Sequence, residues 1–282
     1  MNQDRESIIL TPSVMRFEKA LRLQMQMPTA TIFAVTGIAG IGKSMAVNHY
    51  VAGQQLQAHT GLPSCIKIIV PPKPTPRSLT TAILAMLAEQ LRGRNAKELA
   101  DHVMGSLERY DIRLLIFDEG DRLNDASFDM LRDIYDQTHR PMVLVGLPRL
   151  MGVIERYEQF NSRVAMEIEF KSLSLDELRT TFLPHIQFSK WHFDPNLDED
   201  AALAEYVWKQ VNPSLRRLVN WIQIANAIAE ADNMERVTLE TMKEATEFFR
   251  LNSGNNQDDS AYEASDTGWQ EMLSETRKRA KR

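Results

Sequence analysis

GIAGIGKS, residues 37 to 44, follows the β-branched run TIFAVT (31 to 36) and precedes MAVNHYVA (45 to 52), a stretch with helical character. The octapeptide satisfies G-x-x-x-x-G-K-[ST] in the strand-to-helix context that gives this pattern its meaning. Backbone N–H groups of such a loop surround phosphate oxygens because its glycines allow close approach, and the helix that follows adds positive potential. Gly37, Ile38, Ala39, Gly40, Ile41 and Gly42 are therefore the expected phosphate cradle, with Lys43, Ser44 and Met45 at the head of the helix. Lys43 would reach the β and γ phosphates of a nucleoside triphosphate, and Ser44 would offer a hydroxyl to Mg2+. The competing reading is a glycine-rich turn with a chance Lys-Ser, which the flanking strand and helix disfavour.

A second element lies downstream. LLIFDEGDRL (114 to 123) runs four apolar residues into Asp118 and Glu119. A buried strand ending in a carboxylate would bring Asp118 to the metal side of the loop, while Glu119 would orient and polarise an attacking water. Alone this is a strand meeting a loop; paired with residues 37 to 44 it becomes the other half of an ATP and Mg2+ site. Asp121 and Arg122 read equally well as a solvated pair on the next turn or as a subunit contact.

Around these motifs the chain alternates. Strands are expected at Thr31 to Thr36, Cys65 to Val70, Leu114 to Phe117, Met142 to Gly146 and Val164 to Phe170. Helical patterns separate them: Ile83, Leu87 and Leu91 share a face, as do Leu99, Val103 and Leu107, then Phe128, Leu131 and Tyr135, then Leu150, Val153 and Tyr157. Alternation of this kind implies an α/β fold with a mostly parallel five-stranded sheet covered on both faces. A first helix is expected from Pro12 to Met25, capped by Thr11, with Val14, Phe17, Leu21 and Met25 on one face. After Phe170 no strand-like run recurs. Ser174 with Glu177, Ser214 and Thr238 would cap three helices of a small C-terminal lid. The expected organisation is an N-terminal helical segment (1–28), an αβ core (29–171), a helical lid (172–251) and a polar tail (252–282) ending in RKRAKR.

The 282 residues carry 38 acidic and 33 basic side chains, a formal charge of −5, so the whole-molecule field does not favour nucleic acid and any such contact must be local. No apolar run is long enough to span a membrane and the first residues lack a secretory pattern, so a cytoplasmic protein with no membrane partner is expected. Cys65 alone can make neither an internal disulfide nor a zinc site.

A P-loop domain on a parallel sheet with a helical lid resembles the AAA+ superfamily. LLIFDEGDRL, MVLVGLPRL (142 to 150), VIERYEQFNSRVAMEIEF (153 to 170) and LSLDEL (173 to 178) further resemble, in order and spacing, the TnsC/TniB family of transposition ATPases, related in role to the MuB target-selection ATPase. The likeness covers Thr11 to Arg250, and the run from Asp118 through Phe170 is its discriminating part. It implies regulatory ATP hydrolysis and a ring, spiral or filament of copies on double-stranded DNA. It also implies partnership with a transposase and a TniQ-type target-selection adaptor or, in some systems, an RNA-guided complex. It implies an arginine finger at Arg163, with Arg156 as runner-up; an arginine capping the sheet edge or pairing with a carboxylate is the plain alternative for each. Arg216 or Arg217 in NPSLRRLVNW (212 to 221) would be sensor 2. The sequence departs from the pattern at sensor 1, where Leu147 and Pro148 have no polar side chain to offer a γ-phosphate, so slow hydrolysis or a γ-phosphate contact from another group is expected.

Two basic stretches could meet DNA phosphates without reading bases. VPPKPTPRSL (70 to 79) places Lys73 and Arg77 on a proline-stiffened loop, and LRGRNAKEL (91 to 99) adds Arg92, Arg94 and Lys97 at a helix boundary. Solvated loops are the plain alternative. Three functions compete on these residues: a DNA-assembled transposition regulator, a replication initiator or helicase loader, and a P-loop signalling switch without DNA.

Overall fold

The computed structural model describes residues 8–91, 95–211 and 214–253, and its contacts divide the chain between Lys171 and Ser172. Before that point come α1 (Pro12–Gln24), β1 (Ile32–Thr36), α2 (Lys43–Ala52), β2 (Cys65–Ile69), α3 (Pro76–Ala85), α4 (Ala96–Arg109) and β3 (Leu114–Asp118). A 3-10 turn (Gly120–Arg122), α5 (Asp125–Thr138), β4 (Met142–Val145), α6 (Arg149–Glu155), α7 (Glu158–Asn161) and β5 (Val164–Glu169) complete it.

The five strands form one sheet in the order β2-β3-β4-β1-β5, every pairing parallel. Helical crossovers cover both faces, so the inner strands β1, β3 and β4 are buried at every residue, which explains their uninterrupted aliphatic runs. Each expected strand is present, with ends differing by a residue or so. The edges differ in chemistry. Glu167 and Glu169 keep the β5 edge charged and unattractive to another strand, whereas β2 carries Lys67 amid apolar neighbours. Cys65 is buried at the start of β2, and burial pushes its thiol up to about 12, so it packs as a small apolar residue. Because all strands point one way, the loops that follow β1, β2, β3 and β4 emerge at a single edge.

α1 starts as its sequence dictates, with Thr11 Oγ1 accepting from the Val14 N–H at 3.4 Å and Pro12 in the first turn. Phe17 meets the rings of Tyr50 and Phe170 edge-on, which ties α1 to α2 and to the end of β5 within this unit. Met25 is half-buried; the side chain that goes inside at this end is Gln24. Its amide donates to the carbonyls of Thr31 (2.8 Å) and Met142 (3.2 Å), satisfying groups at the starts of β1 and β4.

The pattern Ile83, Leu87, Leu91 predicts one continuous helix, yet α3 ends at Ala85. A Schellman motif stops it: Ala88 adopts φ 54°, its N–H meets the Ala85 carbonyl at 3.2 Å, and the Glu89 N–H meets Leu84 at 3.0 Å. Leu87 is buried all the same. Glu89 then folds against α4, accepting from Ser106 Oγ (2.7 Å) and Arg109 (2.6 Å) and meeting His102 Nε2 at 3.1 Å. Burial alone would raise this carboxyl, but the bonds from Ser106 and His102 and the Arg109 charge outweigh it and hold it below its ordinary 4.5. A depressed folded-state pKa stabilises above the unfolded value and is lost as pH falls through the folded one. Glu89→Gln should therefore be less stable than the parent at pH 7, and urea midpoints should show the gap closing below about pH 4.5. A gap that is constant down to pH 3 would remove Glu89 from this role.

The second unit contains α8 (Leu175–Glu177), a π turn (Leu178–Phe182), a 3-10 turn (Leu183–His185), α9 (Asp198–Val211), α10 (Leu215–Ala231) and α11 (Leu239–Ser253). The Ser174 and Glu177 capping box is present, but it opens a single α turn that widens at once into the π turn. Ser214 and Thr238 accept from Arg217 and Thr241 N–H groups at the heads of α10 and α11. Trp221 is buried, with Leu218, Ile222, Ala225 and Ala229 along the same face of α10. Trp191 Nε1 donates to the Leu183 carbonyl at 2.8 Å, and buried Asp200 binds Arg236 at 2.6 Å. α11 runs to Ser253, past the expected start of the tail at Asn252; residues 254–282, with RKRAKR, lie outside the described residues. No helix among the described residues is long and apolar enough to cross a membrane.

Candidate functional site

The Gly37–Ser44 loop joins the carboxyl end of β1 to the first turn of α2. Gly37 holds φ +156°, and a Cβ there would lie 2.9 Å from both the Phe170 Cβ and the Phe170 carbonyl oxygen, so neither dihedral nor space admits a side chain. Gly42 is the N-cap of α2 at φ +103°, the left-handed region that leaves the N–H groups of the first turn facing outward. Ile41 is buried beneath the loop, while Ala39 and Met45 are exposed above it. Lys43 is buried, with Nζ donating to the carbonyls of Gly37 (2.6 Å) and Ile38 (2.9 Å). The ammonium thus ties together the backbone carbonyls of the first two residues of the loop.

Asp118 ends β3 and is 5% exposed. Its Oδ1 accepts from the Glu119 N–H at 3.0 Å and its Oδ2 lies 2.9 Å from Lys67 Nζ. Lys67 also donates to Asn48 Oδ1 at 2.8 Å, one helical turn beyond Ser44 on α2. Asp118 at the end of β3 and Asn48 on α2 are therefore joined through one ammonium group.

Glu119 has φ 59° and ψ 35°, an uncommon conformation for a residue with a side chain, and at functional positions such conformations are over-represented. Its carboxylate pairs with Arg122, whose guanidinium also donates to the Val70 carbonyl at 3.2 Å. Arg122 therefore bridges Glu119 and the loop that follows β2. Asp121, its side chain 7% exposed, accepts from the Leu147 N–H (3.1 Å) and binds Arg149 Nη2 at 2.6 Å. The solvated-pair reading of Asp121 and Arg122 is thus corrected: each has a separate, specific partner, and Asp121 pins the turn after β4 where the expected polar sensor is missing.

The two finger candidates differ. Arg163 is clamped by Asp136 of α5 through two bonds of 2.6 Å, and these raise its pKa further above the ordinary arginine value. Arg156 is exposed, its Nε reaching only the Gly152 carbonyl one turn back at 3.2 Å among the bonds found for it. Arg216 and Arg217 both occupy the exposed first turn of α10.

Lys73 is exposed on the loop after β2. Arg77, expected on that loop, instead lies in the first turn of α3, because Thr75 caps the helix with a reciprocal Ser78 bond and Pro76 takes the first position. The loop is anchored by Asn124 Nδ2 donating to the Pro74 carbonyl at 2.8 Å. Lys97 is exposed in the first turn of α4; Arg92 and Arg94 lie outside the described residues.

Among the described residues no group of three or more His, Cys, Asp or Glu side chains could cage a metal. Mg2+ needs only one or two protein ligands beside substrate phosphates and water, so a buried carboxylate such as Asp118 and a hydroxyl such as that of Ser44 are donors of the kind it would take. Buried Asp118 has a cation on one oxygen, the chemistry such an ion would meet. Sequence reading missed Lys67 and the partner of Arg122. A lysine inside the apolar run CIKII was the visible signal for the first; the second had none, because Val70 contributes only its backbone.

Residues 26–154 match a family model described as an AAA domain. A potential ATP-binding protein of Staphylococcus aureus is 29% identical over 139 residues, 48% of this chain and 49% of that protein, so the match spans about half of the curated relative. Among solved structures, the Aeropyrum pernix ORC1 protein in complex with DNA is 19% identical with a TM-score of 0.62, covering 88% of this chain and 68% of that one. Cdc6p from Pyrobaculum aerophilum is 13% identical with a TM-score of 0.64, covering 86% and 69%. The fold is that of the AAA+ P-loop NTPases: a five-stranded parallel α/β sheet followed by helices.

Proposed function

We propose that this chain is a slow, regulatory ATPase that uses MgATP to assemble with copies of itself on duplex DNA and, so assembled, to hand a second factor to the site. Lys43 binds the β and γ phosphates, Ser44 and Asp118 hold Mg2+, and Glu119 orients the attacking water. The metal, when bound, supplies neutralisation of phosphate charge. Arg216 or Arg217 serves as a sensor in the second unit, and an arginine before β5 acts across the subunit interface.

The observation that carries the DNA part of this reading is the Arg122 bridge. It links the Glu119 carboxylate to the backbone of the loop bearing Lys73, so a phosphate drawn to that loop has a direct route to the hydrolytic group. The similarity to DNA-bound initiator structures favours an initiator or helicase-loader role. A transposition regulator, working with a transposase and a TniQ-type adaptor, rests on the resemblance within Asp118 to Phe170 alone.

Duplex retention should require ATP or a slowly hydrolysed analogue, ignore sequence, and weaken with salt at a log–log slope of about −0.9 per phosphate neutralised. Replacing Lys73 and Arg77 by alanine should flatten that slope while nucleotide binding survives. Electron microscopy with analogue and duplex should show rings, spirals or filaments. If the analogue neither assembles the protein nor increases retention, the DNA readings fall and a switch without DNA stands; if only removal of residues 254–282 abolishes retention, the DNA site moves to RKRAKR. Added transposase or replicative helicase then separates the two DNA readings by which one the assembly captures.

A further inference from the structure

Lys67 is the charged residue in the middle of β2, its side chain 16% exposed and its Nζ shared between Asp118 Oδ2 at 2.9 Å and Asn48 Oδ1 at 2.8 Å. Asp118 is itself well buried, with its side chain 7% exposed, and its other oxygen is taken by the Glu119 N–H. A carboxylate withdrawn from water this far is unstable without a cation or a proton. Here the chain supplies the cation itself, from a neighbouring strand, on the oxygen that would otherwise be open to a metal. We infer that Lys67 is a resident cation of the metal side of the site, a positioning residue that keeps Asp118 from binding a divalent ion until that ion arrives with nucleotide phosphates. The inference rests on reading Asp118 as a metal ligand.

The electrostatics give the direction. A divalent ion approaching Asp118 alone meets an ammonium group already in place, and two cations within a few ångströms in a partly desolvated site repel strongly. Triphosphate oxygens change the sum, because their negative charge is enough to hold both cations at once. Asn48 gives the ammonium a neutral partner already within reach, so Lys67 keeps one hydrogen bond when its hold on Asp118 weakens. Its position one turn beyond Ser44 keeps the displaced cation beside the phosphate-loop helix. Metal and nucleotide then load together, and free divalent cation alone leaves the site unchanged.

The test uses the full chain and Mn2+ alone, with uptake read from the loss of the free-ion electron paramagnetic resonance signal. Lys67→Met should bind Mn2+ without nucleotide at least about tenfold more tightly than the parent, because an unpaired buried carboxylate replaces a paired one. Lys67→Arg, which keeps the cation, should behave as the parent. Adding Asp118→Asn to Lys67→Met should erase the gain. A purely structural lysine would lower thermal stability in Lys67→Met without moving metal affinity. Equal Mn2+ affinity in parent and Lys67→Met, or a gain that survives Asp118→Asn, would overturn the inference. If Lys67→Met does not fold, Lys67→Gln is read by the same criteria, since it removes the charge and keeps a donor for Asn48. Parent protein that takes up no Mn2+ even with an ATP analogue would overturn the nucleotide-site reading instead, and the metal-alone comparison keeps the two failures apart.

Discussion

Lys43→Ala should reduce ATP affinity by about a hundredfold or more while the sheet and its helices remain folded. The Lys43 ammonium is the one group of the loop with a formal positive charge, and hydrogen bonds to charged partners contribute about 1.5–3 kcal/mol each. Losing contacts to two phosphate groups removes about 3 kcal/mol or more, and each 1.4 kcal/mol is a factor of ten in affinity. The loop itself adds a condition. Nζ also ties together the carbonyls of Gly37 and Ile38, so the substitution loosens the loop as well as removing the charge. Lys43→Met separates the two effects poorly, whereas Lys43→Arg keeps the charge on a larger, planar group. Arginine, which keeps donors for the two carbonyls, should restore much of the thermal stability and little of the affinity, because its planar, delocalised charge does not reproduce the compact ammonium at the phosphates. Titration with a fluorescent ATP analogue beside thermal unfolding checks both. Wild-type affinity in Lys43→Ala would remove residues 37 to 44 from the role proposed for them.

What could be read in the chain was whatever is local. The strand TIFAVT, the loop after it and the carboxylates after LLIF are contiguous in sequence, and their physical meaning depends on spacing alone; the five-stranded parallel sheet follows from the alternation around them. What could not be read depends on pairs brought together by the sheet. Arg163 looked like a finger by its place before β5, but Asp136, 27 residues earlier on α5, clamps it. Lys67 meets Asp118 because β2 pairs with β3 in a register that sets Lys67 beside Ile116, two residues before Asp118. Arg122 reaches Val70 for the same reason. Helix ends were misread where a turn depends on an unfavoured residue: nothing in ALAMLAEQL marks Ala88 for a left-handed conformation, since glycine or asparagine is the usual sign. The two candidate finger arginines differ in what holds each of them.

Arg156→Ala should lower the turnover of the assembled protein about 10³-fold, the order of loss when an arginine finger is removed from a nucleotide hydrolase, with ATP affinity of the isolated subunit nearly unchanged. The physical ground is availability. A finger must leave its own subunit and enter the neighbour's site, and Arg156 is exposed, held among the described residues by a 3.2 Å bond to the Gly152 carbonyl. Arg163 would first have to break two short bonds to Asp136, so its replacement should lower stability and Asp136→Asn should do the same. Mixing decides between them. Lys43→Ala subunits lack a working site but keep every arginine; Arg156→Ala subunits keep the site but lack the finger. Combined, they should recover activity at interfaces where an intact Arg156 faces an intact Lys43, with a maximum at intermediate ratios. The same mixture made with Arg163→Ala subunits should track only the amount of folded protein. Recovery in the Arg163 series and none in the Arg156 series would return the finger to Arg163, and would mean that assembly breaks the Asp136 clamp.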